Sequence, residues 1–335
     1  QPILLGGAAL TEKFVAQDCV PRYDGPVRYC ADAFAGLTAM GEAMDGTLTS
    51  TVYDAASVPV RNKPGARDIV VRHDGQVPQP PFWGPRHTRR IDPAVLFDYV
   101  NEQALIRGRW GYRRGSMTAE QYAELIGGTV RPLYADLRRR ALAEGWIAPA
   151  VAYGYFPGHG EGDSVVVGHD GREVRFAFPR QADPPRLCIA DFYRPADAGG
   201  DIVAFFVATV GARLREEAQR LLDADRYHDY LLLHGLGVEL TDALAEYWHE
   251  VMRRELGIED RTPDSMTGYV VQQYRGSRYG FGYPACPDLG AQADVFRLLG
   301  PEAIGVTLTE TMEMVPEQST SAIVAHHPQA KYFAV

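Results

Sequence analysis

Between Asp45 and Arg90 the hydrophobic periodicity of this chain fades, and that break limits the folds open to it. Glycine, proline and charge take over in runs such as Asn62-Lys63-Pro64-Gly65 and Val77-Pro78-Gln79-Pro80-Pro81. Such a stretch has little apolar surface to bury and reads as a strap or linker, ordered only where it lies on a domain. A small unit therefore precedes it and a larger one follows, which suits 335 residues better than a single minimal core. The expected divisions are 1–46, 47–90 and 91–335.

The first unit reads as the tail of an α/β domain. A strand over 3–6 ends in Gly6-Gly7, a helix follows around 11–19, then a strand at 27–30 and a helix over 33–44. A buried parallel strand at residue 3 needs neighbours on both sides, and the first residue is Gln1 rather than Met. The chain is therefore expected to be a piece of something longer. There is no basic segment and cleavage site of a signal peptide.

In the larger unit Asp92-Pro93 opens a helix running through 95–106, with Asp as cap and Pro at the first helical position. Helical periodicity over 118–144 is interrupted by Gly127-Gly128 and Pro132. Strands are expected at 150–156, 164–167, 173–178, 202–210, 306–309 and 322–324, with turns at His169-Asp170-Gly171 and Ala198-Gly199-Gly200. Helices are expected over 213–223 and 241–256, the second capped by Thr241.

Composition excludes several function classes. Apolar residues make up 46% and charged residues 23%, as in an ordinary globular protein. A formal charge of −9 argues against a nucleic-acid partner, which wants a basic face. No apolar run approaches the roughly 18–20 residues of a membrane span, so the cytoplasm is the default location. The four cysteines show no CxxC and the nine histidines no HExxH, so neither a disulfide framework nor a metal site is expected. His326-His327 are neighbours on a strand and point to opposite faces. His249, beside Trp248, reads as a helix-face or interface residue.

Gly6-Gly7 after a strand is a weak phosphate-loop signal, since neither GxGxxG nor a P-loop lysine is present; that argues against a NAD-type dehydrogenase. Gly154 to Asp163 reads as a hairpin loop. The segment Arg278-Tyr279-Gly280-Phe281-Gly282-Tyr283-Pro284-Ala285-Cys286-Pro287 is less ordinary. Its glycines and prolines predict an irregular, rigid loop rather than a central strand. Glycines allow close approach to a ligand, aromatics cover a flat ring, and Arg278 offers a fork for a carboxylate. A Pro/Gly turn with packing aromatics fits the composition equally well. Cys286 has no base nearby in sequence, so a catalytic thiol is not expected.

Arg278 to Pro287 resembles the R-x-x-x-G-Y-P-A-C-P segment of the reactivation domain of cobalamin-dependent methionine synthase. Ordered satellites match the same family: Gly154-Tyr155-Phe156-Pro157, Phe178-Pro179-Arg180-Gln181, Cys188-Ile189-Ala190-Asp191-Phe192, Ala245-Glu246-Tyr247-Trp248-His249-Glu250, Leu308-Thr309-Glu310 and His327-Pro328. Residues 1–46 look like the end of its cobalamin-binding domain. The resemblance implies an incomplete Rossmann-like tail, a linker, and a C-shaped α+β domain on a bent antiparallel sheet. It implies binding of S-adenosylmethionine and methyl donation to cob(I)alamin, after a flavodoxin-type electron donor has reduced the oxidised cofactor.

Carried over by residue, Arg278 would bind the ligand carboxylate, and Gly280 and Gly282 would hydrogen-bond the ligand through the backbone. Tyr283, Tyr332 and Phe333 would line the adenosyl and sulfonium region. The amino group would meet Asn101 or Glu102 on one side and Asp242 or Glu246 on the other, with Asp242 on the first turn of its helix. Gly6, Gly7 and Ala33 match positions on one wall of the cobalamin cleft. The DxHxxG motif that carries the axial histidine is absent from the chain, as are the homocysteine and folate modules and their zinc. No catalytic side chain and no metal ligand are expected here. The implied partner within the enzyme is its cobalamin-binding domain, and the chain is expected to be a monomer. The rival reading is a non-catalytic ligand-binding and docking module for the electron donor.

Overall fold

Strands β1 (Ile3–Gly6) and β2 (Val27–Cys30) pair in parallel, Ile3 opposite Val27 and Gly6 opposite Cys30. The structure is a computed structural model that describes residues 1–6, 10–31, 33–53, 68–259 and 263–335. The chain divides into two units, Gln1–Arg67 and Asp68–Val335. In the first, β1 leads to a short helix α1 (Glu12–Phe14), capped by the Thr11 hydroxyl accepting from the Phe14 amide. Wider turns carry the chain on to Cys19. Helix α2 (Ala33–Met44) follows β2, and Cys30, Ala39 and Leu48 form the small core. This is the βαβα order expected from the sequence. The strap begins on this unit: the Tyr29 amide donates to Thr51 Oγ1 (2.6 Å) and the Thr51 amide to the Val27 carbonyl (2.8 Å). Gly7, the side chain of Ala33 and residues 54–67 of the strap lie outside the described residues.

The second unit is built on a seven-stranded sheet. Its strands are β3 (Gly84–Thr88), β4 (Ala150–Glu161), β5 (Ser164–His169), β6 (Arg172–Ala177), β7 (Asp201–Thr209), β8 (Ser277–Gly280) and β11 (Ser319–Ala325). The order is β6-β5-β4-β7-β11-β8, with β3 also on β4 and each of these pairings antiparallel. A separate pair, β9 (Thr307–Leu308) and β10 (Met314–Val315), is antiparallel too. Its helices are α3 (Ala119–Leu125), α4 (Arg131–Ala143), α5 (Ala212–Asp223), α6 (Tyr227–Glu255), α7 (Met266–Val270) and α8 (Gln292–Leu299). Among the described residues no helix is long and apolar enough to cross a membrane.

The central strands read as near-continuous apolar runs because both sheet faces are covered. On β7, Ile202, Ala204, Phe206 and Ala208 join one core with α5 and α6, while Val203, Phe205 and Val207 join a second. β4 and β11 alternate in the same way, Ala322 and Val324 on the first face and Ile323 and Ala325 on the second. The buried carboxylate of Asp201 closes one end of the central strand. It accepts from the Arg194 and Ile202 amides (both 2.8 Å) and contacts His326 Nε2 at 2.5 Å.

Four expectations are corrected here. Residues 84–88, read as strap, form β3, because β4 exposes an edge for them to pair with. Residues 154–161, read as a hairpin loop, continue β4. Gly158 permits this: a Cβ there would meet the Val166 carbonyl oxygen at 2.4 Å on the neighbouring strand. Thr241 caps nothing. It is buried inside α6, where its hydroxyl donates to the Gly237 carbonyl one turn back (2.9 Å), so Asp242 sits mid-helix, without the dipole of an N-terminus. His249, read as a helix-face or interface residue, is fully buried and packs edge-on against Tyr274.

Candidate functional site

The register of the sheet edge decides where Arg278 points. On β8, Arg278 pairs with Val324 and Gly280 with Ala322, so both lie on the face that packs against α6. Tyr279, opposite Ile323, goes to the other core. The segment expected to be wholly irregular thus starts as an edge strand, a place where glycine is tolerated. Beyond Gly280 the chain turns sharply. The Gly282 amide, at φ +88°, donates to the Cys286 carbonyl (2.8 Å), and the Cys286 amide returns to Tyr283 (2.8 Å). Tyr283 folds back over the strand; a Cβ at Gly280 would lie 2.9 Å from its ring.

Facing this edge, Glu239, Asp242 and Glu246 fall at i, i+3 and i+7 on one face of α6. Between them lies a cleft of about 470 Å³, lined also by Tyr99, Asn101, Arg109, Tyr269, Gln272, Tyr274 and Tyr332. Two ion-pair systems cross it. Arg278 Nη1 donates to Glu246 Oε2 at 2.7 Å and lies 3.5 Å from the Tyr274 hydroxyl. Arg109 spans two acids, Nε to Glu239 Oε2 at 3.0 Å and Nη2 to Asp242 Oδ2 at 2.7 Å.

The electrostatics follow from this layout. Burial opposes the Arg278 charge, but Glu246 above all more than restores it, so its pKa is raised and the guanidinium stays charged. Burial raises Glu239 and Asp242, opposed in both by Arg109. The phenols of Tyr99, Tyr269 and Tyr283 are pushed up, burial being the largest cause, and stay neutral. Burial and then the charges of Arg278 and Arg253 hold His249 well below its usual range, so it is a neutral packing group under the cleft.

Of the residues singled out from the sequence, Asn101, Asp242, Glu246, Arg278, Gly280, Tyr283 and Tyr332 come together on this cleft. Tyr332 is held there by its amide, which donates to Gln272 Oε1 at 2.7 Å. Three others do not line it. Glu102 is 3.6 Å from Arg131, Phe333 packs on Phe192 and Tyr279, and the Gly282 amide is used in its own turn. The side-chain oxygen of Asn101 is also committed, accepting from the Ala104 amide at 3.1 Å to cap the helical turn after it. Gly6 ends β1 in the first unit. Sequence reasoning missed Arg109, Glu239, Gln272 and Tyr269. The three-and-four spacing of acids on α6 carried the signal for Glu239; for Arg109, 133 residues from Asp242, no local signal existed. His326 binds Asp201 and His327 binds the Arg72 carbonyl (2.9 Å). Among the described residues no group of three His, Cys, Asp or Glu is placed to hold a metal ion.

An antiparallel α+β unit with a charged, aromatic-walled cleft at its sheet edge is a recognisable class. Residues 115–335 match the family model described as vitamin B12 dependent methionine synthase, activation domain, and the chain belongs to that family. It is 39% identical to the methionine synthase of Mycobacterium tuberculosis and 38% identical to that of Mycobacterium leprae, over its whole length in both cases. It spans 32% of the length of each. Its fold is that of a crystallised MetH reactivation domain bound to AdoHcy, with a TM-score of 0.68 and 24% identity over 78% of this chain and 83% of that one.

Proposed function

We propose that the cleft binds S-adenosylmethionine and presents its methyl group for transfer to cobalamin, as the reactivation module of a cobalamin-dependent methionine synthase. The observation that carries this reading is the edge-strand Arg278. Glu246 takes one nitrogen of its fork, and the group sits beside Tyr283 and Tyr332, which are 41% and 45% exposed. A guanidinium so placed suits a carboxylate, and the exposed rings suit an adenosyl group next to a sulfonium. Asp242 is the proposed partner of the ammonium group, with Glu246 as the alternative, because its second carboxylate oxygen has no hydrogen-bond partner among the described residues.

In this reading the residues position and do not react: a sulfonium is already a good leaving group, so orientation supplies the catalysis. When bound, cobalamin supplies the nucleophile that accepts the methyl. Residues 1–46 are proposed as the end of the domain that holds it, with Gly6, Gly7 and Ala33 on one wall. The second unit would dock on the rest of that domain and on a flavodoxin-type electron donor, in the cytoplasm, within an enzyme that makes methionine from homocysteine and methyltetrahydrofolate. The 335-residue chain is expected to be a monomer. It is expected to bind S-adenosylmethionine by calorimetry and to retain no cobalamin through gel filtration, since it contains no DxHxxG motif to supply the axial histidine. Methyl transfer to supplied reduced cobalamin separates this from a docking module, which would bind the ligand and transfer nothing. Stoichiometric cobalamin retention, or no ligand binding, would contradict the proposal.

The ammonium assignment has its own test. Asp242→Asn should weaken S-adenosylmethionine binding by about 1–3 kcal/mol, and Asn101→Asp should tighten it or leave it unchanged. Glu246→Gln keeps a carbonyl for Arg278 and should cost less. A larger loss for Glu246→Gln would move the ammonium one turn along α6.

A further inference from the structure

We infer that Arg109 occupies the place beside Asp242 that a ligand's ammonium group would take, so that an amine-bearing ligand binds in competition with a side chain of the protein itself. The inference rests on the proposal that this cleft takes S-adenosylmethionine.

The two ends of the Arg109 bridge are unequal. At one end Glu239 is nearly buried, its side chain 5% exposed, and its other oxygen accepts from the Asn101 amide at 3.1 Å. That end is an anchor. At the other end Asp242 is crowded enough by protein for its pKa to be raised, yet 48% of its side chain stays exposed and opens on the cleft. Contacts of that kind are weak in water and readily exchanged. Arg109 is itself one-third exposed and attached by a long flexible stem, so it can release Asp242 while keeping Glu239.

Charge balance supports the same role. The cleft is lined by three carboxylates (Glu239, Asp242, Glu246) and two guanidiniums (Arg109, Arg278). The excess of one negative charge matches a ligand carrying a sulfonium, an ammonium and one carboxylate. Arg109 removes a second negative charge that the acids of α6 would otherwise present. It therefore lowers the affinity for any cation too weak to displace it, and makes the amino group the part of the ligand that pays for entry.

The test uses Arg109→Gln, whose amide can still reach Glu239, in the full 335-residue chain. S-adenosylmethionine and S-adenosylhomocysteine should both bind about tenfold more tightly to the variant. Binding of 5′-methylthioadenosine, which lacks the amino-acid end, should not change. The gain should vanish when Asp242→Asn is added, because both changes act on one contact. Arg109→Lys, a point charge without the fork, should fall between wild type and Arg109→Gln. Weaker binding to Arg109→Gln would mean that Arg109 contacts the ligand directly. Unchanged binding with lowered stability would make it a structural staple between 102–109 and α6. Either result overturns the inference and leaves the ligand assignment standing. Failure of the wild type and the variant alike to bind S-adenosylmethionine overturns both.

Discussion

Asp201→Ala is expected to destabilise the second unit by about 3–5 kcal/mol, the range for removing one partner of a buried, hydrogen-bonded pair. The carboxylate is buried in the central sheet, with two backbone amides and the His326 ring converging on it. Removing it leaves those donors without an acceptor where no water replaces it. Asp201→Asn keeps an acceptor and loses the charge, so it should cost less. The effect has a defined pH dependence. Burial pushes the Asp201 carboxyl up, but His326 and the two amides outweigh it and the net pKa is lowered. A lowered carboxylate pKa gives stability that is fully present above the unfolded value of about 3.9 and is lost as pH falls through the lower folded value. The gap between wild type and Asp201→Asn should therefore be widest near neutrality and should close in acid, below about pH 4. Urea unfolding followed by tryptophan fluorescence reads this unit alone, since Trp83, Trp110, Trp146 and Trp248 all lie in it. Equal urea midpoints for wild type and Asp201→Ala at pH 7 would remove the carboxylate from the account of stability.

Arg278→Ala should weaken S-adenosylmethionine binding by about 2–4 kcal/mol, for the loss of a charge-assisted fork in a partly desolvated cleft. Part of that loss is indirect. Glu246, whose side chain is only 11% exposed, keeps its charge company with Arg278 and would be left facing the ligand carboxylate. Arg278→Lys restores a charge near Glu246 without the planar fork, so it should recover part of the affinity only. Calorimetry gives both dissociation constants. An unchanged value for Arg278→Ala would place the ligand carboxylate elsewhere in the cleft.

Much of the architecture was legible before any coordinates. Strands 3–6 and 27–30 and helix 33–44 fall where the periodicity puts them, because each is short and bounded by turn residues. The turns at Asp170-Gly171 and Gly199-Gly200 adopt the positive φ that their composition demands. The reading failed where a tertiary partner changes the meaning of a local signal. Gly158 and Gly160 look like loop residues, yet they lie in β4, where other backbones pass too close for a side chain. Thr241 looks like a cap only if α6 starts there; buried apolar contacts along 227–240 carry the helix through it.

The candidate site divides in the same way. The sequence by itself pointed to the family through the Arg278–Pro287 motif, and the resemblance offered Arg278, Tyr283, Asp242, Glu246 and Tyr332 as candidates, all five of which line one cleft. It could not determine which of them face one another, since that depends on the β8–β11 register turning Arg278 and Gly280 toward α6 and Tyr279 away. Nor could it determine that Asn101 spends its carbonyl on its own helical turn, or that Arg109 reaches Asp242 across 133 residues of chain. Residue type and local spacing set what chemistry a side chain can perform. Contacts between residues far apart in sequence decide whether that chemistry is free to meet a ligand or already spent inside the protein.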